Sequence, residues 1–343
     1  MTAQAPPALP SRTLGARGPA VSALGFGGAP LGDLYAALDD DAAVATALAA
    51  LDAGVTLVDT SPLYGRGLSE HRVGAALRRR PGVPVVLSTK VGRVFAPAPG
   101  GVVRTEGYAG GLPHEGRFDY SYDGAMRSVE QSMLRLGVAS LDVVLIHDID
   151  PWTHGEAAAA RQREALAGAW RALVDLRAQR IVRAIGIGVN DADVCERFAR
   201  EADPDCVMLA GRYSLLEQPA LDRFLPLAQA RGIGVMAGGV YNSGILATGP
   251  VEGARYNYRP APPDVLSRVA AIERVCASHG VVLAHAALAF VLGHPAVSSV
   301  VLGAVSPDEV RRNVAAFRAP VPAGLWRDLK AERLLRDDVP VPA

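Results

Sequence analysis

Cysteine is scarce in this chain of 343 residues, and long unbroken hydrophobic runs are missing. The three cysteines lie far apart and form no CxxC pair; they are Cys195, Cys206 and Cys276. That spacing argues against a disulfide framework and a structural zinc site, so no metal is expected. The most apolar stretch, residues 281–302, is interrupted by His285, His294 and Pro295. A membrane span needs about 20 unbroken apolar residues, so this stretch predicts a buried helix followed by a strand.

An excess of either charge is also missing, since 35 basic side chains balance 35 acidic ones. A neutral chain with interspersed charges argues against nucleic-acid binding and against a polybasic membrane anchor. Residues 1–12 are rich in proline and alanine and lack the basic and then apolar pattern of a secretory signal. We therefore expect a cytoplasmic protein with no membrane or nucleic-acid partner.

Lysine is almost absent, because only Lys90 and Lys330 among the 35 basic side chains are lysines. A GC-rich genome that favours arginine codons explains this bias without any function. Under such a bias a position that keeps lysine is informative, since a compact ammonium group binds differently from a planar guanidinium group.

Short runs rich in valine and isoleucine alternate with amphipathic segments along the chain. Nearly continuous apolar strands separated by helices indicate a parallel sheet covered on both faces. Eight such units in roughly 300 residues predict an α/β fold, a (β/α)8 TIM barrel, in preference to a pair of Rossmann-type domains. No linker divides the chain, so we predict one domain over residues 1–343 with a core of about 12–320. The predicted strands are Leu24–Phe26, Thr56–Asp59, Val85–Thr89, Asp142–His147, Ala184–Gly188, Cys206–Ala210, Gly234–Ala237 and Ser299–Leu302.

The segments between these strands carry helical patterns, and an N-terminal hairpin over residues 12–23 is expected across the barrel bottom. Two connections, residues 91–121 and 241–263, are long and rich in glycine and proline. Both follow a strand, which places them on the C-terminal face, where barrel enzymes build their sites. The predicted helices are Asp40–Ala53, Ser69–Arg80, Tyr122–Leu136, Ala160–Gln179, Ala192–Glu201, Ala220–Ala230, Asp264–Ser278, Leu283–Leu292 and Pro307–Phe317.

Several common enzyme motifs are missing. The run Gly25 to Pro30 begins like a dinucleotide-binding fingerprint, but Pro30 replaces its third glycine and no helix is predicted to start there. The chain has no Walker loop, no GxSxG motif and no HExxH motif. Hydrolase and metalloenzyme functions therefore have no local support.

Four polar residues lie at or just after the ends of predicted strands: Asp59, Tyr64, Lys90 and His147. Each has a plain structural explanation, such as a helix cap for the aspartate or core packing for the tyrosine. In a barrel, however, these strand ends converge on one mouth. A neighbouring ammonium group should lower the pKa of a tyrosine, whose usual value near 10 is too high for easy proton exchange. Asp59 would orient Lys90, and His147 would hold a substrate oxygen. Because this set contains neither a nucleophile nor a metal, a redox cofactor is needed to carry the hydride.

These residues resemble the signature of the aldo-keto reductase superfamily. The resemblance rests on the runs 58–65, 88–90 and 145–148 and extends from Leu14 to Phe317 in the family's order. It implies that Tyr64 is the general acid and base, that Lys90 tunes it, that Asp59 holds Lys90 and that His147 orients the carbonyl. It also implies a nicotinamide dinucleotide bound across the barrel mouth without a Rossmann fold. The implied cofactor contacts are Gly27, Gly28, Asp59, Asn190, Gly238, Gly239, Tyr241, Gly303, Glu309 and Asn313.

The resemblance also indicates which nicotinamide cofactor is preferred. NADP-dependent relatives place a basic residue at the positions that match Gly303 and Glu309, whereas this chain has no side chain at one and a carboxylate at the other. A carboxylate repels a 2′-phosphate and can accept hydrogen bonds from a free ribose. We therefore expect NAD to be preferred over NADP. Gly238 and Gly239 stand where relatives place an aromatic under the nicotinamide ring, which leaves Tyr241 as a candidate for stacking.

Within the superfamily, run 60–70, the pair His147–Asp148 and run 238–244 resemble the aldose 1-dehydrogenase group, which includes L-fucose, D-threo-aldose and L-galactose dehydrogenases. That group oxidises the anomeric carbon of a sugar to a lactone. Pyridoxal 4-dehydrogenases are similar to the same runs, so pyridoxal is an alternative substrate. An NADPH-dependent carbonyl reductase and a nicotinamide-sensing subunit are further alternatives. We expect a monomer or weak homodimer, and the candidate substrate contacts are Arg93 and Trp152, with Tyr108 and Tyr120 on the same long connection as Arg93.

Overall fold

The computed structural model describes residues 8–101 and 107–342. Residues 1–7, part of the segment in which no secretory signal is expected, and residues 102–106 of the first long connection lie outside the described residues. The strands are β1 (Ser11–Thr13), β2 (Ala20–Ser22), β3 (Leu24–Gly27), β4 (Leu57–Asp59), β5 (Val86–Val91), β6 (Arg93–Pro97), β7 (His114–Phe118), β8 (Leu141–His147), β9 (Val182–Val189), β10 (Cys206–Ala210), β11 (Gly234–Gly238), β12 (Arg255–Tyr256), β13 (Arg259–Pro260) and β14 (Val297–Gly303).

Most of the helices lie between these strands in the chain, and α12 and α13 follow the last strand. They are α1 (Asp40–Asp52), α2 (Leu68–Arg79), α3 (Tyr122–Leu136), α4 (Pro151–His154), α5 (Ala158–Ala167), α6 (Ala169–Ala178), α7 (Ala192–Glu201), α8 (Phe224–Arg231), α9 (Ile245–Thr248), α10 (Pro263–Ser278), α11 (Leu283–Leu292), α12 (Pro307–Arg318) and α13 (Ala323–Ala331).

Eight parallel strands close into a barrel in the order β3, β4, β5, β8, β9, β10, β11 and β14, with β14 pairing back to β3. Each of these strands overlaps one of the eight predicted strands. The predicted (β/α)8 barrel is therefore confirmed, and the alternative of two Rossmann-type domains is wrong.

Alternate residues of each strand face the barrel interior, since successive side chains of a strand point to opposite faces. The interior cluster is apolar over most of its depth; its members include Leu57, Val86, Val143, Leu145, Met208 and Met236. The same periodicity continues upward to Asp59 on β4, to Ser88 and Lys90 on β5 and to His147 on β8. The inward-facing charged and titratable groups named here thus lie at the carboxyl ends of their strands.

The opposite end of the barrel is closed by the antiparallel hairpin β1–β2, which confirms the predicted N-terminal hairpin. Leu14 and Val21 of this hairpin are completely buried in the interior cluster. The Arg12 guanidinium group donates to the carbonyl oxygens of Leu292 and Val297, at 3.1 Å and 2.7 Å. Apolar burial together with these bonds fixes the hairpin on the barrel.

Two features of the helical layer differ from the predictions. The expected helix 160–179 is two helices, α5 and α6, separated at Gly168. A Cβ atom at Gly168 would lie 2.5 Å from the carbonyl oxygen of Tyr120, to which Ala169 N–H donates at 2.8 Å. Beyond the predicted core limit near residue 320, α13 adds one further helix and buries Trp326.

Helices α10 and α11 form the most apolar helical region. Among residues 8–101 and 107–342, no single helix is long and apolar enough to cross a membrane. These two helices reach that length only when taken together, and the chain bends by 94° between them.

Both long connections lie on the C-terminal face, as predicted. The first contains the antiparallel hairpin β6–β7, and the second contains α9 and the short hairpin β12–β13. The two central residues of the second hairpin, Asn257 and Tyr258, have φ values of 48° and 64°. Positive φ at both positions is the geometry of a type I′ turn, and a tyrosine there is costly because bulky residues rarely adopt it.

Candidate active site

A buried ion pair joins the ends of β4 and β5. Asp59 lies opposite Ser88 in the strand register, and Lys90 follows two residues later on the same face. The Lys90 ammonium group donates to Asp59 Oδ2 at 2.7 Å, to the Thr60 carbonyl oxygen at 2.8 Å and to the Tyr64 hydroxyl at 3.1 Å. Ser88 Oγ donates to the other Asp59 oxygen at 2.8 Å. All three ammonium hydrogens have acceptors, an arrangement that a planar guanidinium group would not fit.

Tyr64 reaches this ion pair from a tight turn after β4. The next residue, Gly65, has a φ of 62°, and a Cβ atom there would lie 2.6 Å from the carbonyl oxygen of Gly32. Only glycine allows the two backbone segments to approach this closely with that conformation. The turn therefore holds the Tyr64 hydroxyl against Lys90.

The pKa of the Tyr64 phenol is raised well above its usual value, and burial is the main cause. The carboxylates of Asp59 and Asp148 raise it further, whereas Arg93 lowers it. The expectation that Lys90 lowers this pKa below its usual value is wrong for this structure. The Lys90 ammonium group is already neutralised by Asp59 at 2.7 Å, so its bond to the phenol does not outweigh burial.

His147 ends β8 and faces the same cleft. Its Nδ1 atom lies 3.2 Å from Ser61 Oγ and 3.5 Å from Arg93 Nη1, and its Nε2 atom lies 3.3 Å from Asp148 Oδ1. Burial, with the charges of Lys90 and Arg93, lowers the pKa of His147 well below its usual value, so the ring is neutral. Because Arg93 can only donate and Asp148 can only accept, the proton belongs on Nε2.

Arg93 and Asp148 form a second ion pair beside His147, with Nη1 and Oδ2 at 2.8 Å. The Arg93 guanidinium group also stacks on the Phe118 ring at 4.3 Å. Arg93, which the sequence predicts as a substrate contact, therefore lies beside His147. Asp148 was noted in the sequence only as part of the pair His147–Asp148 and was not predicted as a site residue, because a histidine next to an aspartate is more often structural.

Tyr120, a candidate substrate contact, lies behind the site instead. It is completely buried, and its hydroxyl group lies 2.9 Å from the His147 carbonyl oxygen and 3.0 Å from that of Asp148. It supports the end of β8 and is not available to a ligand, so that expectation is wrong.

Aromatic side chains surround the mouth of the cleft. The Tyr108 ring stacks on Tyr64 with the centroids 6.4 Å apart, and the exposed Trp152 ring lies 6.3 Å from that of Tyr258. Sequence reasoning missed Tyr258, whose position depends on the fold of the second long connection. Both Trp152 and Tyr258 are half-exposed at the rim and do not touch the Lys90 ion pair.

The carboxyl ends of β9 to β11 form a surface with few side chains next to this cleft. A Cβ atom at Gly211 would have no neighbouring atom within 4 Å, and one at Gly238 would have its nearest at 3.6 Å. Asn190 lies beside them, and Gly239 adopts a φ of 59°. This open surface fits a flat ring such as nicotinamide. Tyr241, the candidate for stacking, is half-buried and packs against the core.

A polar network that sequence reasoning missed supports this surface. Arg212 Nε donates to the Asn190 carbonyl oxygen at 2.8 Å, and Nη1 lies 3.3 Å from Glu217 Oε1. Glu217 in turn accepts from Asn242 Nδ2 at 2.8 Å and from the Tyr256 hydroxyl at 3.1 Å. The buried Asn242 Oδ1 atom has no hydrogen-bond partner in the described part of the chain.

The candidate adenosine site lies at the start of α12. Ser306 caps this helix by accepting from Glu309 N–H, and the Glu309 carboxylate accepts from Val305 N–H at 2.9 Å. Glu309 therefore has a structural role that the spacing Ser-x-x-Glu could have indicated. Asn313 Nδ2 donates to the Gly303 carbonyl oxygen at 3.3 Å.

The remaining candidate glycines lie at the end of β3. A Cβ atom at Gly28 would lie 2.7 Å from Ser69 Oγ, and its N–H donates to the Asp59 carbonyl oxygen at 2.7 Å. At Gly27 a Cβ atom would lie 3.2 Å from Val301. Close packing alone explains why residue 28 is a glycine. Its backbone hydrogen bond joins the end of β3 to the end of β4 at Asp59.

Comparisons with known proteins agree with this geometry. The model of the aldo/keto reductase family matches residues 23–331. The chain is 40% identical over 334 residues to a pyridoxal 4-dehydrogenase of Microbacterium luteolum, covering 94% of this chain and 97% of that protein. It is also 40% identical over 331 residues to a D-threo-aldose 1-dehydrogenase of a Pseudomonas species, covering 93% and 96%.

Among solved structures, the holo form of the aldo-keto reductase AKR11C1 from Bacillus halodurans superposes with a TM-score of 0.73 at 26% identity. The match covers 96% of this chain and 98% of that one. The chain therefore belongs to the aldo/keto reductase family, as an oxidoreductase that acts on CH–OH groups with a nicotinamide cofactor.

Proposed function

We propose that this enzyme oxidises the anomeric CH–OH group of a free aldose, of the L-fucose, D-arabinose or L-galactose type, to a lactone. The observation that carries the proposal is the Tyr64 hydroxyl group held 3.1 Å from Lys90 Nζ, beside a neutral His147. The similarity to a D-threo-aldose 1-dehydrogenase supports the choice of substrate.

In the proposed mechanism Tyr64 removes the proton of the anomeric hydroxyl group. His147 donates from Nε2 to the same oxygen and fixes its position. Lys90 donates to the Tyr64 oxygen and stabilises the phenolate, and Asp59 keeps Lys90 oriented and compensates its buried charge. A nicotinamide cofactor held at this site would supply the hydride acceptor for the hydrogen on the anomeric carbon. Because the Tyr64 pKa is raised, oxidation is favoured at alkaline pH.

The cofactor is held, in this proposal, by the open surface at Asn190, Gly238 and Gly239 and by the segment from Gly303 to Asn313. NAD is preferred over NADP because Glu309 places a half-exposed carboxylate there. A basic side chain at Gly303 has no room either, since a Cβ atom would lie 2.7 Å from Pro30. A carboxylate accepts from a ribose hydroxyl group and repels a 2′-phosphate.

Pyridoxal is the second candidate substrate, and the 40% identity to a pyridoxal 4-dehydrogenase favours it as much as the aldose. Its cyclic hemiacetal offers the same CH–OH chemistry to Tyr64 and His147. The aromatic Tyr108 beside Tyr64 provides a surface against which a pyridine ring can stack.

Initial rates of NADH formation at 340 nm test the proposal. The substrates are L-fucose, D-arabinose, L-galactose, D-glucose and pyridoxal, each with NAD and then with NADP. Turnover of the first three sugars with NAD supports the proposal, and turnover of pyridoxal alone replaces it with the second candidate. Cofactor binding without turnover of any of the five substrates would overturn both.

A further inference from the structure

The Arg93–Asp148 ion pair has no part in the proton transfer described above, yet both of its side chains lie against the His147 ring. Arg93 also lines a small recess together with Lys90 and His147. The two side chains of the pair are only 12% and 14% exposed. A buried ion pair contributes little net stability to a fold. Stability alone therefore does not explain why these two charged groups are buried here, and a role in ligand binding does.

The Asp148 carboxylate has spare capacity to accept hydrogen bonds. One oxygen accepts from Arg93 Nη1 at 2.8 Å, and the other lies 3.3 Å from His147 Nε2. A carboxylate offers about four acceptor positions, so at least one remains for a ligand. Asp148 also has a φ of 54°, a conformation held here by its N–H bond to the Gly188 carbonyl oxygen.

His147 Nε2 lies 3.3 Å from Asp148 Oδ1, and the proposed function gives the Nε2 hydrogen to the reacting oxygen. When that oxygen binds beside Nε2, Asp148 Oδ1 remains free to accept a hydrogen bond. In a sugar, the hydroxyl group on the next carbon lies about one hydrogen-bond length from the first oxygen. It is therefore placed to donate to Asp148.

We infer that Asp148, oriented by Arg93, binds the hydroxyl group on the carbon next to the reacting carbon. The ligand class is thus 2-hydroxy aldehydes and the sugars that correspond to them. This inference rests on the proposed function only for the position of the reacting oxygen at Tyr64 and His147. Asp148 is a specificity-determining residue here, and Arg93 is a positioning residue that acts through it.

A matched pair of substrates tests the inference without any sugar. Lactaldehyde and propanal differ only in the 2-hydroxyl group, and both are reduced with NADH in the reverse direction. A hydrogen bond to a charged group changes binding by roughly 10- to 100-fold. We expect wild-type kcat/KM to favour lactaldehyde by that factor. Asp148→Asn should remove the preference, because it should lower kcat/KM for lactaldehyde by roughly 10- to 100-fold more than kcat/KM for propanal. Asn is chosen because it tolerates the positive φ at this position.

Asp148→Glu serves as the matched control, since it keeps the charge and should keep part of the preference. Equal wild-type kcat/KM for the two aldehydes would overturn the inference, even if no variant folded. An equal loss on both aldehydes in Asp148→Asn would also overturn it, because Asp148 would then act through His147. No reduction of either aldehyde overturns the inference as well. If Asp148→Asn removes the preference for lactaldehyde but the enzyme oxidises no sugar, the inference is upheld and the proposed function fails.

Discussion

The two ends of the barrel are built from the same strands but contain opposite kinds of side chain. At the carboxyl end, Asp59, Lys90 and His147 are buried charged or titratable groups that face one cleft. At the amino end, Leu14 and Val21 of the hairpin fill the barrel with hydrocarbon. The strand periodicity is the same at both ends, so only the residue type at each inward position differs.

This contrast shows where the fold gains its stability and where it places its chemistry. Burial of apolar surface stabilises the fold by about 25 cal/mol per Å² and needs no specific polar partner. Hydrocarbon packing is therefore enough to stabilise the amino end. Buried charges are stable only when each finds a partner, so the carboxyl end needs the bonds of Lys90 to Asp59 and Thr60. Substitutions at the two ends should therefore affect different quantities.

The largest expected effect is the loss of activity in Tyr64→Phe. Removing the hydroxyl group proposed to transfer the proton should lower kcat about 10³-fold, while NAD affinity changes little. Steady-state kinetics and a fluorescence titration with NADH measure the two quantities. Tyr213→Phe is the matched control, because this buried hydroxyl group has no hydrogen-bond partner among the described residues and should be dispensable. Turnover in Tyr64→Phe equal to the wild type would refute the role of Tyr64.

Lys90→Met should affect both activity and stability, unlike any change at the amino end. It leaves the buried Asp59 carboxylate unpaired, which costs about 3–5 kcal/mol, and it removes the donor to Tyr64. Urea unfolding measures the first effect and kcat the second. The double variant Asp59→Asn/Lys90→Met should recover much of the stability and none of the activity. Additive stability losses in the double variant would contradict the pairing.

Leu14→Ala tests the amino end alone. Truncating this completely buried leucine should lower the free energy of unfolding by about 2–5 kcal/mol, with kcat/KM at 25 °C unchanged. The same substitution at Leu134, which is 82% exposed, is the control and should cost less than about 0.5 kcal/mol. A fall in kcat/KM for Leu14→Ala would show that the two ends are coupled.

The pH dependence of oxidation should follow the Tyr64 phenol. Its pKa is raised, so the phenolate is a minor species at neutral pH and increases about tenfold for each unit of pH below that pKa. We expect log kcat/KM for oxidation to rise with pH between 7 and 9 with a slope approaching one. Reduction needs the protonated phenol and should not rise over the same range. A flat oxidation profile would mean that another group accepts the proton.

The smallest effect is expected at Glu309, which lies at the rim. Glu309→Gln should raise kcat/KM with NADP relative to NAD about threefold, since an exposed charge interaction contributes about 0.2–1 kcal/mol. Asp308→Asn, on the adjacent exposed position of α12, is the control and should not change the ratio. An unchanged ratio in Glu309→Gln would leave Glu309 with its structural contacts to Val305 and Arg312 and no role in cofactor choice.

The strands and the four polar residues at their ends could be predicted because they depend on local patterns. Apolar runs of the right length mark parallel strands, and the period of two places Ser88 and Lys90 on one face. Lys90 was also marked by its rarity in an arginine-rich chain. The break at Gly168 could not be predicted, because its cause is the approach of the Tyr120 carbonyl oxygen from a distant part of the chain.

The sequence by itself determined the barrel, its hairpin closure and the identity of the groups at its mouth, because residue type and periodicity are local properties. The tertiary structure decided what those groups do to one another. It raised the pKa of Tyr64 through burial, fixed the proton of His147 on Nε2, and brought Arg93 and Asp148 together from separate strand ends. Electrostatic interactions depend on distance and burial, and both are set by packing between residues remote in sequence.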